Sequence, residues 1–398
     1  MFQDLLDART FADGHPVELY RRLREESPVH WNPEPDGPGF WALTRHADVR
    51  SVDRDFQAFS SEPTILIPDG FDGAMFPDAK MMLMMDPPEH TAFRKVIRSE
   101  FTRPAAEGKE TRLRQLARQI VNEVIERGEC DFVAEVAGEM PSYVIAELMG
   151  LPLDDGRELY KLTEIIHSSP EALEANERVG AVFKMFDYAS EVIKEKRDRP
   201  ADDLASRLLH AEVEGRRLND NEFRLFFMLL IDAGGDTTRN LLAGGLWALQ
   251  QSPVQRAWLM ADVDGRLASA REELLRFVSP VIYMRRTART DVQVGQTPIR
   301  KGDKVVMYFG AANRDPEAFE HPDTLDLTRT PNEHVAFGGG PHVCLGQHLA
   351  RLEIDAILQE VLMRMPDVEI SAPPEWLAST FISGPKTMPV RFTPGPRL

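Results

Sequence analysis

Apolar residues recur at three- and four-residue intervals through most of the chain, so helix is the expected default. Leu19 and Leu23 form such a stripe between Pro16 and Arg24, and the same period runs from Glu89 to about Gly128 and through most of 132–250. Its longest stretch is Asn221 to Gln250, interrupted by Gly234-Gly235 and closed near Pro253. At about 1.5 Å per residue this helix would span roughly 45 Å, enough to cross a domain's core. The period changes in a few places. HWNPEPDGPGFWALTR carries two aromatic, strand-like runs around a Pro/Gly/Asp turn and predicts a β-hairpin. Short strands are expected at 281–308 and near 387–393. Residues 61–85, SEPTILIPDGFDGAMFPDAKMMLMM, are apolar but broken by Pro and Gly, and a loop that long is more often functional than idle. No repeat or linker interrupts residues 1–398, so the expectation is mainly α with a minor β part, in one large fold with a long central helix.

Composition excludes more than it specifies. The chain is 42% hydrophobic and 28% charged, an ordinary globular balance, and its net charge of −17 speaks against nonspecific nucleic-acid binding. Two cysteines, Cys130 and Cys344, make no disulfide framework and suit a reducing cytosol. The start MFQDLLDARTFADGHP lacks a basic and then apolar leader, and no apolar run approaches the roughly 20 residues of a membrane span, so a cytoplasmic protein is expected.

Chemistry gathers at FGGGPHVCLG, Phe337 to Gly346. One Cys and one His are too few for structural zinc, which takes about four such ligands. A phosphate loop would end in Gly-Lys-Ser/Thr, absent here. His342 lies two residues from Cys344, as a base for a nucleophilic thiol could, and an inert buried thiol is the plainest reading. Phe337, Gly340, Cys344 and Gly346, however, fit Phe-x-x-Gly-x-x-x-Cys-x-Gly, which resembles the heme-binding loop of the cytochrome P-450 superfamily. The resemblance implies heme b (iron protoporphyrin IX), with Cys344 as the metal ligand and Phe337, Gly338 and Gly346 around it. The physics is consistent with this. Glycines let backbone approach a flat macrocycle, amides can hydrogen-bond the sulfur, and the positive end of the following helix favours a thiolate.

Three further motifs follow the order expected of the family. AGGDTTRN, Ala233 to Asn240, lies within the long helix, where each glycine costs about 1 kcal/mol relative to Ala. Close helix packing is one reason for the pair, and a notch for dioxygen and water is the other. The resemblance makes Asp236 and Thr237 an acid–alcohol pair that handles protons. In EELLR, Glu273 and Arg276 would otherwise be an ordinary i,i+3 pair; the family joins them to an arginine, here Arg329, in a structural network. In HTAFR, His90 and Arg94 share a helical face, and with Arg286 and His342 they match contacts to the heme propionates. Arg285 is the adjacent alternative to Arg286.

The resemblance covers nearly the whole chain and implies hydroxylation of an unactivated C–H bond with O2. Electrons must come from outside, by analogy from a ferredoxin (or flavodoxin) and its NAD(P)H-dependent reductase. Between Asp86 and Arg118, eight basic residues face five acidic ones, a net +3 segment that could steer an acidic partner or simply be a solvated helix face. Candidate pocket walls are Ile65, Leu66, Met81, Met82 and Met84 from the long loop, Ile231, Ala233 and Gly234 from the central helix, and Val281, Ile282, Phe381 and Ile382; any of them could equally be core. DGPGFWALTRHADV, MMLMMDPPEHTAFRK and RRTARTDVQVGQTPIRKGDKVVMYFGAANRD resemble bacterial hydroxylases of steroid side chains, methyl-branched lipids and terpenoids. A terminal methyl of a small apolar terpenoid or steroid is therefore the expected target, ahead of a fatty acid, an aromatic or a secondary metabolite. A heme-binding sensor is the reading from another class, and it would need neither Asp236-Thr237 nor an apolar chamber.

Overall fold

A computed structural model describes residues 4–35, 37–68, 78–167 and 175–398. Its helices include α1 (Val17–Glu26), α2 (His46–Arg54), α3 (Glu89–Ile97), α4 (Leu153–His167), α5 (Asp220–Gln251), α6 (Val263–Val278) and α7 (Gln347–Arg364). The strands are β1 (Val29–Asn32), β2 (Phe40–Leu43), β3 (Phe59–Ser60), β4 (Tyr283–Ala288) and β5 (Lys304–Tyr308). The chain is mainly α with small sheets, as its apolar period predicts.

The long helix is α5, 32 residues, begun by a capping box. The Asn219 side chain accepts from the Glu222 N–H at 2.8 Å, and the Glu222 carboxylate accepts from the Asn219 N–H at 2.8 Å. Helix 139–149, α4, helix 175–198, α6 and α7 all pack against it, so it crosses the helical core. The expected helix over 89–128 is instead broken after Ile97 and again around Pro104 and Gly108. A proline cannot donate to the helical ladder, and this one opens a new short helix at its first turn. A two-stranded ribbon, 212–213 with 216–217, also interrupts the helical stretch, turning at Gly215 with φ +83°.

The hairpin forms as read, with Val29 opposite Leu43 and Asn32 opposite Phe40. It joins a five-stranded sheet of order β1-β2-β5-β4-β3, in which β5 runs parallel to β2 and antiparallel to β4. All five β5 residues are buried. Val306 and Tyr308 enter one apolar cluster with Leu19 and Tyr20 of α1, while Val305 and Met307 enter another with Val49 and Val52 of α2. The cysteine loop packs on the end of α2, where Gly340 lies against Asp53 and Arg54. The expected 61–85 loop lies outside the described residues at 69–77; around that gap, Ile65–Ile67 and Met81–Met84 border the site.

Candidate functional site

A cavity of about 1090 Å³ lies between α5 and the loop that carries Cys344. Its roof is α5: Ala233, Gly234, Thr237, Thr238 and Leu241 fall on one helical face, and Met228 to Leu230, Asp232 and Asp236 also line it. The two glycines divide the alternatives left open by sequence. A Cβ on Gly235 would stand 3.0 Å from the Tyr160 ring of α4, so this glycine serves close packing. A Cβ on Gly234 would meet nothing nearer than 3.8 Å, and Gly234 opens on the cavity. Thr237 Oγ1 donates to the Ala233 carbonyl at 3.1 Å, one turn back.

The floor holds Phe337, Gly338, His342, Cys344 and Gly346. The Cys344 N–H donates to the Phe337 carbonyl at 2.8 Å and closes the loop. Gly338 and Gly340 take φ +62° and +57°, and a Cβ on Gly340 would lie 2.5 Å from the Asp53 carbonyl, so only glycine serves there. Burial raises the Cys344 thiol pKa; the Gly346 N–H, the Arg94 and Arg351 charges and the Gln347 N–H oppose it. Those amides open α7, where the helix end favours negative charge.

His90 and Arg94 of α3, Arg286 of β4 and His342 converge on the same cavity. The His90 and His342 rings lie 4.0 Å apart, and His90 Nδ1 is buried with no partner among the described residues. Arg94 Nη2 donates to the Val343 carbonyl at 2.6 Å. Arg286 is the cavity residue and Arg285 is not, because β4 turns successive side chains to opposite faces. Arg285 Nη1 instead donates to the Leu66 and Ile67 carbonyls at 3.0 and 3.1 Å. A thiol beneath a glycine loop, an orphaned imidazole nitrogen and gathered cations fit an anionic macrocycle ligated by sulfur.

Glu273, Arg276 and Arg329 meet behind this floor. Arg276 donates Nε and Nη2 to the Glu273 carboxylate at 2.8 and 2.7 Å, with both side chains fully buried. Arg329 Nε adds a bond at 3.1 Å, Asn332 Nδ2 one at 3.0 Å, and the Asp326 N–H one at 2.9 Å.

Ile65, Leu66, Met81, Met82, Met84, Ala233, Gly234, Val281, Phe381 and Ile382 line the cavity. Ile231 and Ile282 do not, which corrects the expectation for both. Ile231 lies about 100° around α5 from Leu230 and packs in the helical core. Ile282 alternates with Val281 and packs with Tyr283 and Tyr308 in the sheet's cluster.

Among the ionisable cavity residues with no place in the sequence motifs are Asp53, His167, Asp232 and Glu353. Asp53 accepts from Arg286 Nη2 at 2.8 Å and from the Gly339 N–H at 2.5 Å, tying the loop to β4. Glu353 of α7 is raised to about 8 by burial. His167 and Asp232 form a pair at 2.5 Å. Asp232 precedes Asp236 by four residues, a spacing visible in the sequence, whereas Asp53 and His167 carry no local signal.

Fold and site together define a heme-thiolate protein built around one long helix. The chain belongs to the cytochrome P450 family, whose model matches residues 157–371. It is 36% identical over 403 residues to a steroid C26-monooxygenase of Mycolicibacterium smegmatis, covering 98% of this chain and 93% of that protein. A methyl-branched lipid omega-hydroxylase of Mycobacterium bovis is 37% identical over 391 residues, covering 94% and 90%. The solved structure of a Mycobacterium marinum cytochrome P450 in complex with pseudoionone superposes with a TM-score of 0.91 at 38% identity, covering 96% of this chain and 97% of that one. The protein is a cytochrome P450 monooxygenase. No helix among the described residues is long and apolar enough to cross a membrane.

Proposed function

We propose that this cytoplasmic enzyme hydroxylates a terminal methyl on a small apolar steroid side chain, branched lipid or terpenoid. It does so at heme b, with O2 and electrons from a ferredoxin (or flavodoxin) and its reductase. One observation carries the reading: Cys344 and Thr237 border opposite sides of a mostly apolar cavity larger than the roughly 300–1,000 Å³ of common ligand sites, as a chamber for cofactor plus substrate requires. The names of the relatives support the substrate class. When bound, the heme supplies oxygen activation and the oxidant, favoured by its thiolate ligand.

The chain's own groups do the rest. Cys344 would provide the thiolate, steadied by the Gly346 and Gln347 amides. Arg94, Arg286, His90 and His342, which converge on the cavity, would hold the carboxylate edge of the heme, and Phe337, Gly338 and Gly346 would contact the macrocycle. Asp236 and Thr237 hold and pass protons at the roof. Glu273, Arg276 and Arg329 brace the floor from behind. Met81, Met82 and Met84, with Ile65, Leu66, Val281, Phe381 and Ile382, mould themselves to an irregular apolar substrate. Electrons enter over the 86–118 segment, where α3 touches the cysteine loop. Part of that segment's net positive charge is matched by acids outside it, as in the Arg112–Glu147 and Arg118–Glu360 pairs, so partner steering there is weaker than +3 suggests.

Optical titration with a C26-bearing steroid, a methyl-branched lipid and an acyclic terpenoid tests the substrate class. At least one should perturb the heme spectrum at micromolar concentration and emerge oxidised at a terminal methyl. Silence from all three, with a response to an aromatic or a fatty acid, contradicts it. Thr237→Ala should keep heme and substrate binding while most reducing equivalents are diverted to hydrogen peroxide. Fully coupled hydroxylation in that variant removes Thr237 from the proton route.

A further inference from the structure

Asp236 presents an unsolved problem of supply. It is 2% exposed, neither carboxyl oxygen accepts a well-formed hydrogen bond among the described residues, and a buried group so placed needs a neighbour that can hand it a proton. Three candidates face it. The Tyr160 phenol bears on the carboxyl, but burial raises its pKa well above the ordinary value and it keeps its proton. Arg239 lies 3.4 Å away but keeps its proton, and its charge is shared with Glu164. His167, the last residue of α4, places Nε2 3.8 Å from Asp236 Oδ2 and 2.5 Å from Asp232 Oδ1. Asp232 and Asp236 are i and i+4 on α5, so one imidazole spans both carboxyls.

We propose that His167 is a relay residue that carries protons from water at Asp232 to Asp236, and so to Thr237. The inference rests on the acid–alcohol role assigned to Asp236 and Thr237 above. Asp232 keeps a quarter of its side chain exposed, which lets water reach its carboxyl. In the relay, the His167 Nε2–H bond breaks and an O–H bond forms at Asp236 Oδ2, leaving neutral imidazole and neutral acid. A side-chain rotation or one bridging water closes the 3.8 Å gap. Asp236 then gives its proton to Thr237 Oγ1, Thr237 releases its own into the cavity, and water at Asp232 reprotonates the imidazole. The same three groups lie within 4.8 Å of one another, close enough for a cation, but the Arg239 guanidinium beside Asp236 repels one.

The groups facing His167 are Asp232, Asp236 and Arg239 on α5; of α4, Tyr160 bears on Asp236 and Glu164 pairs with Arg239, and the apolar Phe381 ring is stacked at 5.9 Å. Burial works to lower the imidazole, yet Asp232 and then Asp236 outweigh it and raise His167 to about 9. Burial in turn raises Asp236. The imidazolium is therefore loaded below about pH 9 and empty above it.

His167→Gln and Asp232→Asn test this in the reconstituted holoenzyme. Both should bind substrate as the wild type does, while the share of electrons recovered in product falls at least several-fold and peroxide rises. Coupling in the wild type should decline as pH passes about 9. That limb should vanish in His167→Gln and move to lower pH in Asp232→Asn. Independently of turnover, NMR titration of His167 in the diamagnetic ferrous–carbon monoxide protein should show a high pKa that drops in Asp232→Asn. Unchanged coupling and an unchanged pH limb in Asp232→Asn overturn the relay even if His167→Gln does not fold. Should the wild type itself make no coupled product, the monooxygenase reading of the site fails instead, and the NMR titration still reports on the pair.

Discussion

Cys344→Ala is expected to abolish hydroxylation while leaving the fold intact. The sulfur is met only by the Gly346 and Gln347 amides at the start of α7, whereas the Cys344 backbone N–H, which alanine keeps, closes the loop on Phe337. What disappears is the anionic ligand, and with it the electron push that favours O–O cleavage. Retained heme with altered ligation, or heme lost by a still-folded protein, satisfies the expectation, as read by optical spectra beside circular dichroism. Coupled product formation at the wild-type rate does not.

Glu273→Ala should be the most destabilising single change in the described network. Glu273 is fully buried and answers Arg276, Arg329, Asn332 and the Asp326 N–H at once. Truncation strands the Arg276 charge in the interior, though it keeps bonds to the Asn313, Pro322 and Thr324 carbonyls. Breaking a buried pair from one side costs about 3–5 kcal/mol, a large share of the net stability of a folded domain. Denaturant unfolding of the heme-bound protein checks it. A loss under about 1 kcal/mol, the range of surface pairs, would place this trio among ordinary ion pairs.

The architecture was readable where one physical rule dominates. α5 announced itself through a long apolar period, interrupted only at Gly234-Gly235, and ends just ahead of Pro253, and the 30–45 hairpin through its aromatic runs and turn residues. The apolar period alone did not show the breaks between Ile97 and Glu110, nor the ribbon at 212–217, where local turn chemistry prevails over it. The cysteine loop, Glu273–Arg276 and His90–Arg94 were legible because each is short and contiguous. Arg329 and Arg286 were reached through motif order, and the strand's alternation then decided between Arg285 and Arg286. Pocket walls were harder, since an apolar side chain looks the same facing a cavity or a core; Ile231 and Ile282 fell on the core side by one step of helix or strand. Asp53 and His167 were invisible in advance because their partners lie 233 and 65 residues away in sequence.

The most direct test of the account is the optical spectrum of the dithionite-reduced protein under carbon monoxide. Thiolate ligation by Cys344 predicts a strongly red-shifted Soret band that is lost in Cys344→Ala. A band at the position of histidine-ligated heme, in folded wild-type protein, would mean that Cys344 is not the ionised ligand and would contradict the proposed mechanism at its base.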